Sequence, residues 1–562
     1  MTWVRTALRS DLAAGLTVAA MLVPQAMAYA LLAGLPPQVG LYASTVPLLA
    51  YAVIGTSRQL AVGPVAIVSL LTASALAPIA EEGSEAYVAA AGLLALVVAI
   101  VHLVLGAGRL GFLVRLLSHP VLVGFTAAAA LIIGTSQLKH VLGTSPEPGE
   151  NWLASIAAVA ATVPDTHLPT LAVGAGAVAL MAVLRRLRPT LPAALIAVAV
   201  TTVASVVWNL PARGVAVVGD IPRGLPPLTL PNDLSLAIDL VPAAFAVTLV
   251  GVLESIAIAK VYARRNQQDV DANRELLGLG AANLASGLVG GYPVTGGFSR
   301  TAVNAEAGAR TRAAGVITAL IMLLVLVALT PLFTQLPQAT LGAVVLLAVA
   351  GLIDLDEARH IVTVKPPDGW TLAGAFVATL ALGVELGIAV SAIGSAVVVF
   401  ARMMRPHTAV LGHLPDADAY RNVERFPEAE QTDGVVVVRF DVSLSYLNAE
   451  FMKDRIRHVM DAATHPRALV LDMSGVNDID SSAVETLTEL IDELADRGVV
   501  VHLSAVKGPV RDVLTRTAVP DRLAGTHVHI RDAVAAAAPT SRRDRVTGQM
   551  SSQPPCDRKA TT

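Results

Sequence analysis

Tyr292-Pro-Val-Thr-Gly-Gly-Phe-Ser-Arg300 breaks an otherwise apolar stretch and ends on a charged side chain. Pro293, Gly296 and Gly297 stop one helical run and permit a short new one, whose leading N–H groups have no helical acceptor. Such a helix start attracts negative charge. A charged side chain at bilayer depth costs about 2.5–3.5 kcal/mol on insertion scales, so Arg300 is expected to face a cavity and an anionic ligand there. The plainer alternative is that Gly and Pro are common in membrane helices and that Arg300 snorkels to an interface.

A second break of this kind lies far upstream at Ala61-Val-Gly-Pro64, which opens the short apolar segment from Val65 to Leu76. Two short, Gly/Pro-broken segments in corresponding places of two halves point to a transporter site built from half-helices.

Composition agrees with a membrane setting. The chain has 562 residues, 54% hydrophobic and only 15% charged, with a mean hydropathy of +0.64. It reads as a polytopic membrane protein and not as a soluble globular one. The net charge of −3 gives no sign of a nucleic-acid partner, and the one cysteine, Cys556, sits in a polar tail. A disulfide within the chain and a Cys-based metal site are therefore excluded. His102, His119 and His140 have no partner at ligand spacing, so no metal is expected. No Gly-x-x-x-x-Gly-Lys-Ser/Thr loop and no enzyme constellation occur, so neither nucleotide-driven pumping nor catalysis is expected, and no cofactor is implied.

Arg5 and Arg9 precede an apolar stretch, and Met27-Ala-Tyr-Ala30 has the look of a signal cleavage site. The stretch stays apolar to Leu35 and many spans follow, which favours an uncleaved first span. Counting spans of about 17–25 apolar residues, with short broken ones allowed, gives fourteen. Seven run over about 11–33, 38–56, 64–78, 86–106, 119–138, 168–186 and 190–210. After a long loop, seven more run over about 241–262, 275–291, 297–308, 312–332, 337–356, 369–384 and 386–403.

With a cytoplasmic N-terminus, the inner loops collect most Lys and Arg, among them Arg58, Arg109, Arg115, Arg185, Arg186, Arg188, Lys260, Arg264 and Arg265. The outer loops keep only Lys139, Arg213 and Arg223, while the acidic Glu81-Glu82-Gly-Ser-Glu85 and the stretch Glu147 to Glu150 fall outside. Glu385 lies near a predicted outer loop. Seven spans per half make the two repeats, about 11–210 and 241–405, inverted in topology.

Past Arg405 the composition turns to that of a soluble domain, expected over 406–540 after a transport domain over 1–405. Val435-Val-Val-Val-Arg-Phe440, Ala468-Leu-Val-Leu-Asp-Met473 and Val499-Val-Val-His-Leu503 read as buried strands. Asn448 to Met460, Ser482 to Ala495 and Pro509 to Thr517 read as helices, which gives a sheet flanked by helices. The tail over 541–562 is Ser/Arg/Pro-rich and reads as disordered.

Pro24-Gln-Ala-Met-Ala-Tyr-Ala30, Gly34-Leu-Pro-Pro37, Gly40-Leu-Tyr42, Gly55-Thr-Ser-Arg58, Val62-Gly-Pro64 and Gly296-Gly-Phe-Ser-Arg300 together resemble the SulP anion transporters, the sulfate permease superfamily (solute carrier family 26). Leu471-Asp-Met-Ser-Gly-Val476 and Asp480-Ser-Ser482 resemble the STAS domain that follows the transporter in that family. Val39 stands where many members carry an aromatic residue, which warns against borrowing one relative's substrate.

The resemblance implies a 7+7 inverted-repeat membrane domain of core and gate, a cytoplasmic α/β STAS domain, and a homodimer in the cell membrane with both termini cytoplasmic. The anion would bind between the third and tenth spans. Gly63, Pro64, Val65 and Ala66 with Gly297, Phe298, Ser299 and Arg300 would supply N–H groups and positive charge, and Gln25 and Tyr29 would line the same pocket. Four residues apart, Gln25 and Tyr29 share one helix face, though both could simply satisfy polar groups between packed helices.

Glu254 is a second charge in an apolar span and is associated, by the same resemblance, with ion coupling. Val250, Gly251, Ala257 and Ile258 add no side-chain oxygen for Na⁺, which favours H⁺; unwound backbone leaves Na⁺ open, and a structural pairing with Arg300 is a further alternative. In the STAS domain, Asp480, Ser481 and Ser482 match the turn at which signalling relatives are phosphorylated, Ser482 by position. The alternative, which the transporter setting favours, is that Asp480 and Ser481 cap a helix.

The leading expectation is a secondary transporter of inorganic anions, sulfate-type, working by alternating access as proton-coupled symport or exchange. A sodium-coupled bicarbonate transporter, an anion channel and a membrane-anchored STAS signalling protein are the alternatives.

Overall fold

In the computed structural model the described residues are 2–111, 118–147, 149, 151–188, 191–230, 234–265 and 267–538. Arg115, Glu150 and the tail over 541–562 lie outside them, as do the side chains of Arg5, Arg264, Arg265 and Glu385. The chain divides into two compact units, Met1–Ala396 and Val397–Thr562.

The first unit is helical because a backbone in lipid must satisfy its own polar groups. Its first half contains α1 (Thr2–Leu32), α2 (Pro37–Tyr42), α3 (Val46–Ile54), a two-residue strand β1 (Val62–Gly63), α4 (Ala66–Leu76), α5 (Glu85–Ala107), α6 (His119–Leu142), α7 (Trp152–Ala161), α8 (Leu168–Leu187) and α9 (Ala193–Val207). The second half contains α10 (Val241–Arg265), α11 (Ala272–Leu288), β2 (Thr295–Gly296), α12 (Phe298–Glu306), α13 (Ala313–Leu324), α14 (Gln338–Ala350), α15 (Leu355–Val364) and α16 (Pro366–Met404). Among the described residues, nine helices or helix pairs are long and apolar enough to cross a membrane.

Each expected span meets helix. The second is split into α2 and α3, and the last two are joined in α16, whose backbone breaks at Gly383 (φ 82°). Two helices were not expected. The short α7 is capped by Asn151, which accepts from the Ala154 N–H at 3.0 Å. The amphipathic α15 begins where Asp354 accepts from Glu357 N–H at 2.9 Å, so the span expected over 337–356 ends at Ala350 instead. Both signals are local caps, which a count of apolar residues does not see.

β1 and β2 pair antiparallel, Val62 opposite Gly296 and Gly63 opposite Thr295. The two expected breaks thus meet, one from each half. The loop leading into β1 is held by Glu275 of α11, which is fully buried. Its carboxylate accepts from Tyr51 Oη at 2.7 Å, from the Thr56 and Ser57 N–H groups at 2.7 and 3.0 Å, and from the Thr56 hydroxyl.

In the second unit the sheet order is β4-β3-β5-β6-β7-β8, with β3 (Thr408–Leu414), β4 (Ala419–Asn422), β5 (Val435–Phe440), β6 (Ala468–Asp472), β7 (Val500–Ser504) and β8 (Gly525–His527). β3 pairs antiparallel with β4 and β5, and β5 to β8 run parallel. The three expected strands are its centre, where both faces are covered and the sequence is continuously apolar. One face packs α17 (Ala449–Ala462) and α18 (Ser481–Asp496) through Met452, Ile456, Leu487 and Leu490; α19 (Gly508–Leu514) and α20 (Val519–Arg522) extend that layer. The other face packs α21 (Ile530–Ala537) through Ala533 and Val534.

Candidate anion site

Each half contributes one helix start. Val65 is extended (φ −134°, ψ 152°) and α4 begins at Ala66; Gly297 is extended (φ −88°, ψ 129°) and α12 begins at Phe298. The strand before α4 is tied to α12 by backbone and side-chain bonds. Gly297 N–H donates to Ala61 C=O at 3.1 Å, Ala61 N–H to Thr301 Oγ1 at 3.1 Å, and Asn304 Nδ2 to Gln59 C=O at 2.9 Å. Ser255 of α10 fixes β2 from behind: its Oγ accepts from Gly296 N–H at 2.8 Å and lies 2.8 Å from Thr295 Oγ1.

Arg300 is 2% exposed. Its Nη1 donates to Pro64 C=O at 2.5 Å, while Nε and Nη2 are buried without a partner. A Cβ on Gly297 would come within 2.8 Å of the guanidinium, so only glycine leaves room for this arginine to fold back over its own helix start. Removing buried guanidinium N–H groups from water without acceptors is costly, and an anion restores what they lack.

These groups face a cavity of about 770 Å³. It brings together Gln25, Tyr29, Val65, Ala66, Gly297, Phe298, Ser299 and Arg300 with Glu254. Gly63 and Pro64 do not line it; they lie behind Arg300, Pro64 as its hydrogen-bond acceptor. Gln25 Oε1 is buried without a hydrogen-bond partner. Glu254 shares this cavity with the first residues of α12, and its carboxylate Oε2 is buried without a hydrogen-bond partner. Ser299 is exposed to the cavity.

Sequence reasoning missed part of this wall. Thr17 and Met21 line it two turns and one turn before Gln25, and the spacing at 17, 21, 25 and 29 is a readable stripe. Arg185, Leu191 to Ala194 and Leu347 to Leu352 come from α8, α9 and α14 and the segments beside them, with no local signal. In the second unit Asp480 caps α18, accepting from Ala483 N–H at 2.8 Å and from Tyr446 N–H at 2.8 Å, and Ser481 and Ser482 are exposed.

Residues 8–375 match the sulfate permease family and residues 426–537 the STAS domain. "Sulfate transporter 4.1, chloroplastic" of Arabidopsis thaliana is 40% identical over 538 residues, 91% of this chain and 77% of that one. "Probable sulfate transporter Rv1739c" of Mycobacterium tuberculosis (strain ATCC 25618 / H37Rv) is 38% identical, covering 93% of each chain. Among solved structures, that of murine Solute Carrier 26 family member A9, an anion transporter in the inward-facing state, has a TM-score of 0.85 at 25% identity, covering 94% of this chain and 91% of that one. The family match takes in both half-helices and every segment that walls the cavity, and so this chain belongs to the sulfate permease family, a multi-pass membrane protein with a STAS domain behind its transport domain.

Proposed function

We propose that the protein is a secondary transporter that carries inorganic anions, sulfate foremost, across the cell membrane by alternating access, as proton-coupled symport or anion exchange. The observation that carries this is Arg300, buried with two unpartnered N–H donors in a cavity shared by two helix starts. Gln25, Tyr29, Ser299 and the first turns of α4 and α12 complete the binding set.

The charges lining the cavity support proton coupling. Among the described residues they are Arg185, Arg300, Glu254 and Glu306. With both acids ionised they cancel, and a doubly charged anion gains little. Protonating Glu254 leaves a net positive cavity. Sodium is less well served, because the hydroxyl of Ser255, next to Glu254 in the chain, is already bonded to Thr295 and to the Gly296 N–H. Both termini and the exposed mouth of the cavity are assigned to the cytoplasmic side, where the Arg-rich loops fall, and the protein is assigned as a homodimer.

The test is uptake of radiolabelled sulfate by the purified protein in proteoliposomes under imposed pH and Na⁺ gradients, with competing anions. Saturable uptake driven by an inward proton gradient is the expected result. Unitary currents without saturation would mean a channel, and dependence on Na⁺ would overturn the coupling.

A further inference from the structure

Arg185 ends α8 in a run of positive residues, where anchoring to the membrane surface is the ordinary explanation. Its side chain instead lines the same cavity as Arg300. Its Nη1 donates to the Leu347 C=O of α14 at 3.2 Å. That carbonyl is available because α14 ends there: Gly351 N–H turns back to Val349 and leaves Leu347 without its helical donor. A cation suits this end of a helix. The bond fixes the guanidinium against the wall, and among the described residues Arg185 makes no ion pair.

A guanidinium has five N–H donors, so most remain for the cavity. Within that lining Arg185 and Glu306 are exposed, while Arg300 and Gln25 are buried. The two arginines come from different walls, α8 and α12. One cation satisfies one charge of an oxyanion, and a second forked donor set matches the remaining oxygens of a tetrahedral dianion.

We propose that Arg185 is a second contact for the transported anion, and that with Arg300 it selects doubly charged anions over singly charged ones. This assignment rests on the anion transport proposed above.

The experiment measures sulfate uptake and its inhibition by nitrate, a monovalent anion, in proteoliposomes holding the wild type, Arg185→Gln or Arg185→Lys. Losing a hydrogen bond to a charged group raises the KM for sulfate about tenfold or more in Arg185→Gln. Maximal rate stays within about twofold and nitrate inhibition barely changes, because only uniform binding is lost. Arg185→Lys, which keeps the charge and a donor for Leu347 but not the fork, recovers only part of the loss, and a sulfate KM still several-fold above wild type in it carries the test if Arg185→Gln does not fold. An unchanged sulfate KM overturns the proposal. So does an equal loss for sulfate and nitrate with a fall in maximal rate, which marks Arg185 as only a tie between α8 and α14. Wild-type protein without saturable sulfate uptake refutes the transport assignment itself, a result separate from a working wild type with an indifferent Arg185→Gln.

Discussion

In the proposed mechanism Arg300 and Glu254 divide the chemistry of the cavity between them, one holding charge and one able to shed it. Arg300→Ala is expected to leave a folded protein whose sulfate affinity falls about 10- to 100-fold, the worth of hydrogen bonds to a charged group, since the two helix starts alone must then hold the anion. Isothermal titration on the purified variant decides this, and unchanged affinity would remove Arg300 from the site. Glu254→Gln is expected to abolish uptake driven by a proton gradient while sparing exchange of anion for anion, because an amide mimics the protonated acid and cannot cycle. Gradient-driven uptake at the wild-type level would make Glu254 a structural residue. Both residues are legible in the sequence because an ionisable side chain in an apolar span is rare and expensive. Arg185 was not legible as a site residue. Locally, an arginine that ends a helix at the membrane surface looks the same as one that turns back into a cavity, and only the meeting of α8 with α14 separates them.

The elements read from sequence were those whose signal lies within their own residues. β5, β6 and β7 are runs of Val and Leu, whereas β3, β4 and β8 sit toward the sheet edges with mixed composition and are strands only because a neighbour offers a ladder. The helix starts at Ala66 and Phe298 were legible from Gly and Pro, but their pairing through β1 and β2 joins residues more than two hundred positions apart, beyond any local pattern. The outermost pairing carries its own test. His502 on β7 lies 3.2 Å from His527 on β8, ring nitrogen to ring nitrogen, and burial, then the charge of His527, holds the His502 imidazole below its ordinary value. The unfolded chain therefore takes up this proton before the folded one does. The stabilisation is complete above the ordinary imidazole value of about 6.5 and is lost as pH falls from there through the folded value. Protection factors of the Ala505 and Ala524 amides, which bond across this edge, are expected to drop over that range, and His502→Gln is expected to remove the drop. A pH-independent edge in the wild type would contradict it.

At the scale of the whole molecule, no STAS-domain residue among the described residues lines the cavity. Selectivity is a difference between binding free energies and is set by groups that touch the ligand. Truncation after His407 is therefore expected to lower the amount of folded protein or the transport rate, yet to leave the order of preference among competing anions unchanged, as read by competition in proteoliposomes. A truncated protein that reconstitutes well but ranks anions differently would show that the domain reshapes the pocket.

The short ladder between β1 and β2, with the bonds from Gly297, Thr301 and Asn304 to the strand before α4, makes the two helix starts a single piece. A vice whose jaws are bolted together cannot tighten on one face of the membrane and slacken on the other. If the protein works by alternating access as proposed, the anion meets the same grip on this half of the site whichever way the cavity opens, and this half imposes no direction. Net flow would then follow the gradients it is given and reverse with them. Any rectification would then have to come from groups outside the bolted piece, such as the wall that carries Arg185.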